Sequence, residues 1–338
     1  MSVGERAADQ TGALAAVQQI VGALRVVSAS EFVFDGRSFA VDAATSPSLN
    51  PSAHPLVTCL RDALYERAFV KPLGAPAPPP EVPIANFGQQ LSLANASHDR
   101  WHEGWQIESA LPAGQVRARK YDMVRTWWPG EYLVRDGAPQ ALRPLTRLGV
   151  FWARESHVMQ TGFYFAFGEA IADEEDEAQL LRVYWNVSAA GALRLLANAT
   201  RVLNRFAVPF RFKCVNAAQS YARLDAAVLY IGRRYYRVLR ELLPELLSGL
   251  AAPMLGEATP IFTLRLGSGV ALAEDPLGGE SFGMNRCRIV AEGLWAAHAE
   301  GLTSVEHRAA RVAAQFEAYG LSLPRAHLNP ASTFDASV

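Results

Sequence analysis

Pro209-Phe-Arg-Phe-Lys-Cys-Val-Asn216 is a stretch in which apolar and cationic side chains take turns. Phe210, Phe212 and Cys214 point one way and Arg211 and Lys213 the other, the period of two that marks a β-strand with two unlike faces. Arg182-Val-Tyr-Trp-Asn-Val187 repeats the pattern, with Arg182, Tyr184 and Asn186 opposite Val183, Trp185 and Val187. Ile261-Phe-Thr-Leu-Arg-Leu266 sets Thr263 and Arg265 opposite Phe262 and Leu264. Three strands thus each carry an arginine on a polar face. An antiparallel sheet with one wet face would produce such alternation. The usual glutamates, threonines and lysines of a solvated face are scarce here, however, and arginine, tyrosine, asparagine and one lysine suit a multiply charged anion.

These three strands extend over 180–187, 208–215 and 260–266; outward from them, further strand patterns fall at 148–153, 161–167 and 225–231, with helical patterns at 189–206, 233–251, 286–300 and 304–319. Shorter strand-like pieces at 104–110, 115–121, 124–128 and 131–134 carry Trp101, Trp105, Trp127 and Trp128, which read as sheet packing or as a peptide-stacking surface. Leu14, Val17, Ile20, Val21 and Leu24 give an amphipathic helix over 8–27, and 56–70 reads as a second. The Pro-rich run from Lys71 to Pro83 cannot be helix interior or central strand and reads as a linker. The acidic run 172–177 reads as a solvated turn or a docking patch. The expected fold class is α+β: a helical N-terminal part, then a mixed, mostly antiparallel sheet flanked by helices. The expected organisation is a helical part with its linker over 1–90, a small β-rich peptide-binding region over 91–147 and an α+β catalytic domain over 148–338.

Composition narrows the class. Half of the 338 residues are hydrophobic and 19% are charged, enough apolar material for a sizeable core. A formal net charge of -1 argues against a chain-wide nucleic-acid field. No apolar run reaches the roughly 18 residues of a membrane helix. The start, MSVGERAADQ, lacks the pattern of a secretory signal, so a cytoplasmic protein is expected. Cys59, Cys214 and Cys287 have no zinc or disulfide spacing, and no metal is expected. Only three lysines stand beside 29 arginines. Codon bias explains such a ratio, but a lysine within an arginine-rich strand invites a chemical reading.

Residues two apart on a strand lie about 6.5–7 Å apart. Arg211 can then hold an anion while Lys213 reaches an atom one or two bonds away. Neighbouring guanidinium groups and partial burial both favour a neutral amine, as a general base requires. Arginine-bound phosphate beside a neutral lysine is the minimum apparatus for β-elimination from phosphoserine or phosphothreonine, and it needs no cofactor. The glycine-rich stretch 273–288 leads into a helix with Ser281 as a cap, and Arg286 near its N-terminus is a further candidate anion contact. It lacks GxxxxGKS and GxGxxG spacing.

Gly162-Phe-Tyr-Phe-Ala-Phe-Gly168, Arg182-Val-Tyr-Trp-Asn186, Pro209–Asn216, Tyr221-x-Arg-x-Asp225, Ala227–Tyr230, Pro260-Ile-Phe-Thr263, Ala273-Glu-Asp-Pro276, Ser281–Cys287 and His327-Leu-Asn-Pro330 form an ordered set. Over about residues 90–330 this set resembles the HopA-type type III effector family. Besides plant-pathogen effectors, that family includes proteins of class V lanthipeptide and thioamitide biosynthesis. There an aminoglycoside-phosphotransferase-like kinase phosphorylates Ser/Thr of a leader-bearing precursor peptide, and the HopA-type protein is implicated in eliminating the phosphate to dehydroalanine or dehydrobutyrine. The resemblance therefore implies a phosphoserine/phosphothreonine lyase. Lys213 would be its base, Arg182, Arg211 and Arg286 would hold phosphate, and Arg223 and Arg265 would be additional contacts. Asn186, Asn216 and Tyr221 are substrate-binding candidates. Two family positions depart: Asn285 stands where histidine is common, and Leu264-Arg265 where lysine is common. The acid is then sought at His157, Tyr184 or Tyr221. The implied partners are the phosphorylated precursor peptide and the kinase, with neither nucleic acid nor membrane. Two other readings remain: a non-catalytic effector-like or kinase-partner binding protein, and a phosphatase or sugar-phosphate binder with the same cationic cleft.

Overall fold

A computed structural model describes residues 3–41, 54–74, 84–138, 142–276 and 278–337, without the side chains of residues 3–11. Most of the expected Pro-rich linker, residues 75–83, lies outside the described residues. In chain order the first elements are α1 (Val3–Ala23), β1 (Leu24–Ser28), β2 (Glu31–Phe34), β3 (Arg37–Ala40), α2 (Pro55–Leu64) with a π turn over Tyr65–Phe69, and α3 (Phe87–Ala94). Next come β4 (Arg100–Ala110), β5 (Val116–Lys120), β6 (Met123–Trp127), β7 (Tyr132–Val134), β8 (Arg147–Trp152), β9 (Glu155–Ser156) and β10 (Phe163–Phe167). Then follow α4 (Glu174–Ala178), β11 (Leu180–Trp185), α5 (Ala189–Arg205), β12 (Phe210–Val215), β13 (Ala227–Gly232), α6 (Tyr236–Leu246), β14 (Leu264–Gly267), β15 (Val270–Glu274), α7 (Phe282–Ala299) and α8 (Val305–Ala318). Helices and antiparallel sheets in one chain make the class α+β.

A seven-stranded sheet in the order β14-β15-β11-β13-β12-β10-β9 organises the molecule. Its apolar face carries Val183, Trp185, Phe212, Cys214 and Leu229, which pack on α5 and α6. Helix α5 starts where the Ser188 hydroxyl accepts the Gly191 N–H at 3.2 Å, and it buries Ala192, Leu195, Leu196, Ala199, Val202 and Leu203 along one stripe. Gly191 is required there, since a Cβ would fall 2.2 Å from the Met254 carbonyl oxygen.

The other face is not simply wet. Tyr184, Val228, Tyr230 and Ala273 are buried under Phe69, Phe282 and the apolar faces of α2, α7 and α8. A five-stranded sheet, β6-β5-β4-β8-β7, encloses a smaller core in which Trp105 and Trp127 meet edge to face at 5.2 Å. Trp101 and Trp128 are exposed.

Several expectations are corrected. The first helix stops at Ala23, because the β-branched pair Val26-Val27 belongs to β1 and a three-stranded meander, β1-β2-β3, follows. The N-terminal part is therefore not purely helical. The acidic run is neither a bare turn nor fully solvated: Asp173 caps α4, and buried Asp176 accepts from Arg234 at 2.8 Å. The strand expected over 260–266 begins only at Leu264, since Phe262 adopts φ of 67° in a turn. The stretch read as loop from Ala273 is in part strand β15, paired on both sides.

Candidate functional site

Cross-strand register builds the site. Arg211 on β12 lies opposite Tyr230 on β13, and Tyr230 lies opposite Arg182 on β11. Residues paired this way share a face. Both guanidinium groups settle over the Tyr230 ring, Arg182 at 5.2 Å and Arg211 at 4.8 Å from its centroid. One aromatic ring thus holds two like charges side by side. Each also faces a carboxylate: Arg182 pairs with Asp275, and Arg211 stands 3.7 Å from Glu177. An open cleft of about 410 Å³ is lined by Arg182, Arg211, Tyr230, Asp275, Glu177 and Phe165.

Lys213 sits in the next row of the same face, opposite Val228 and Phe165. It adjoins the cleft rather than lining it. Its amine lies 3.8 Å from the Phe163 ring centroid and 5.9 Å from that of Phe165. Among the described residues it has no hydrogen-bond or salt-bridge partner. Burial pulls its pKa down to about 8; Asp225 opposes the shift, and Arg182, Arg223 and Arg211 reinforce it. Arg223 reaches the same neighbourhood from the loop before β13, 5.7 Å from the Phe163 ring. Buried Asp225 grips it through two bonds of 2.6 and 2.9 Å and accepts the Tyr65 hydroxyl at 3.1 Å. The site is therefore one amine of lowered pKa beside three arginines, two of which share the Tyr230 ring.

The other expected residues stand elsewhere. Arg265 is exposed on the edge strand β14, four strand spacings from β12, or about 19 Å. Arg286 is 1% exposed within α7, and its N–H groups are spent on the carbonyls of Ala326 (2.7 Å) and Leu328 (2.8 Å). His157 packs on Tyr164, whose register with Cys214 places it on the opposite face, and its Nε2 lies 3.7 Å from Glu155. Tyr184 is on the right face but sealed between Phe69 and Phe282, and burial drives its phenol pKa up, so it braces Arg182 rather than meeting a ligand. The Asn186 amide donates to the Ala258 carbonyl at 2.9 Å and holds the 254–260 loop. Tyr221 is buried, with its hydroxyl donating to the Val215 carbonyl at 2.6 Å and its ring against Phe87. The Asn216 N–H closes onto Gly162 just after β12, away from the arginine row. Conversely, Tyr230, Asp275, Asp225, Tyr65 and Glu177 were missed. Tyr230 sits at an alternate position of a legible strand, and only the unknown strand order hid it.

The described residues hold no group of three or more His, Cys, Asp or Glu side chains placed for a metal ion. No helix among them is long and apolar enough to cross a membrane.

No curated protein matches the chain. Among solved structures it is similar to the effector protein from Pseudomonas syringae pv. tomato strain DC3000, at 16% identity, with 83% of this chain and 96% of that one covered and a TM-score of 0.46. It is also similar to the effector protein from Pseudomonas syringae pv. syringae strain 61, at 14% identity, with 95% and 98% covered and a TM-score of 0.46. The profile of the HopA1 effector protein family matches residues 154–328, which contain the whole arginine–lysine cluster and its carboxylates. The chain belongs to the HopA1 effector protein family.

Proposed function

We propose that the protein is a phosphoserine/phosphothreonine lyase acting on a leader-bearing precursor peptide phosphorylated by an aminoglycoside-phosphotransferase-like kinase. The observation that carries this reading is the amine of Lys213, with no hydrogen bond or salt bridge among the described residues, beside three guanidinium groups. Arg182 and Arg211 take the phosphate in the cleft, with Arg223 behind them, and the incoming dianion competes with Asp275 and Glu177 for their N–H groups. The four-carbon stem of Lys213 swings its amine from the Phe163 ring toward the substrate Cα. The amine accepts the Cα proton and becomes ammonium. The C–H electron pair forms the Cα=Cβ bond, the Cβ–O bond breaks, and its electrons leave with phosphate. Guanidinium groups stabilise the charge on the leaving oxygen, so no separate acid is needed. At pH 7 a group of pKa about 8 is neutral in about one molecule in ten, a workable fraction for a base.

The test is mass spectrometry of purified phosphorylated precursor with this protein and its Lys213→Met variant. Elimination leaves peptide one water lighter than the unphosphorylated form; hydrolysis restores the original mass. Loss of dehydrated product by at least about 100-fold in the variant, with peptide still bound, is expected. Binding without any phosphate release by the unmodified protein would make it a scaffold instead.

A further inference from the structure

A second chamber opens beside the cationic cleft. It is an apolar cavity of about 330 Å³ where the two larger sheets meet, walled by Trp152, Phe167, Pro209, Phe210 and Ile231. The two share Met159, Glu177, Leu180, Arg211 and Tyr230, so they form one trough with Arg211 and Tyr230 as the partition. The roof is rigid. Arg125 lies 5.3 Å from the Trp127 ring and 5.1 Å from the Trp152 ring and donates to the Ala172 carbonyl at 2.8 Å. The Trp152 indole N–H is bound to the Gly168 carbonyl at 2.8 Å. At the mouth Met159 is 55% exposed, an apolar group left in water beside an apolar hole.

Resting on the lyase reading above, we infer that this chamber receives an aromatic side chain of the substrate peptide, two residues from the phosphorylated one. In an extended peptide the side chains at i and i+2 share a side and lie about 6.5–7 Å apart, the spacing across a one-residue partition. A neighbour at i+1 points away. The chamber therefore sets which phosphoresidues in a multiply phosphorylated peptide are processed, while the arginines bind any of them. Trp152, Phe167 and Phe210 line the chamber with rings, and its rim carries Arg125 and Arg211 beside Glu131 and Glu177; rings and guanidinium groups favour the face of an aromatic ring over an aliphatic chain.

The probes are short synthetic phosphothreonine peptides, otherwise alanine, with phenylalanine placed one or two residues before or after the phosphoresidue. Both affinity and phosphate release are measured. Phenylalanine at one of the two positions two residues away is expected to tighten binding about tenfold over the all-alanine peptide, and adjacent placement to have no effect. Filling the chamber with Ala170→Phe, or independently Ala153→Leu, should erase the ratio between those two peptides. Equal affinity for all peptides, or a ratio that survives both variants, overturns the inference. Phenylalanine-dependent binding without phosphate release sustains the chamber and sinks the lyase reading. Phosphate release with no such dependence does the reverse, and no binding of any phosphopeptide sinks both.

Discussion

At Lys213 chemistry and stability pull in opposite directions. Its amine is held at a pKa of about 8 chiefly by burial. Turnover at subsaturating peptide should therefore rise about tenfold per pH unit below that value and level off above it; a profile flat from pH 6 to 9 would exclude this amine as the base. The unfolded chain holds the same proton with an ordinary lysine pKa. Since the folded value is the lower one, the cost of the charged amine is fully present below pH 8 and fades as pH rises toward the unfolded value. Lys213→Met should then stabilise the fold at pH 7 by up to about 3 kcal/mol while abolishing elimination, as denaturant titration can measure. Period-two alternation was enough to put Arg211 and Lys213 on one face. It was silent on what surrounds them. Asp275 reaches Arg182 across 93 residues of chain and Tyr65 reaches Asp225 across 160, and a single sequence does not encode such pairings locally.

Among the elements, helices and strands with a strong period were legible, and those overridden by neighbours were not. Helix α5 announces itself through its apolar stripe. The break at Ala23 was concealed because Leu24 and Val26 extend the apolar spacing of α1 into a strand. Strand β15, Val270-Ala-Leu-Ala-Glu274, has no polar alternation at all, since both its faces are buried; it went unread as a strand, and its last two residues fall within the 273–288 stretch that reads as a loop. Arg286 misled for a related reason: an arginine near a helix start looks like an anion contact until the C-terminal segment is seen wrapped over it. The close seat of α5 is itself testable. Gly191→Ala places a methyl group 2.2 Å from the Met254 oxygen, so helix or loop must shift; a loss of about 2–4 kcal/mol is expected in chemical denaturation. An unchanged midpoint would mean that the 251–256 loop yields freely.

For the molecule as a whole, the segment after α8 acts as a strap. Arg286 binds the Ala326 and Leu328 carbonyls, Glu274 binds Asn329 and Ser332, and Phe334 meets Tyr236 edge to face. Burial lowers the Arg286 pKa to about 10, so its charge is held at a cost that those carbonyls, the Asn285 side chain and the Phe282 ring offset. Arg286→Met keeps the stem and orphans both carbonyls. Because the desolvated charge disappears too, global stability should change little, while amide exchange over residues 321–337 should accelerate by about tenfold or more. Unchanged exchange there would remove the strap. The same end of the chain governs when the central sheet can form. Strand β15 comes last in sequence yet lies inside the sheet, between β14 and β11. During synthesis β11 therefore keeps a bare flank until residue 274 has left the ribosome, a long wait with an unpaired edge, and the nascent protein is a natural client for chaperones over that interval.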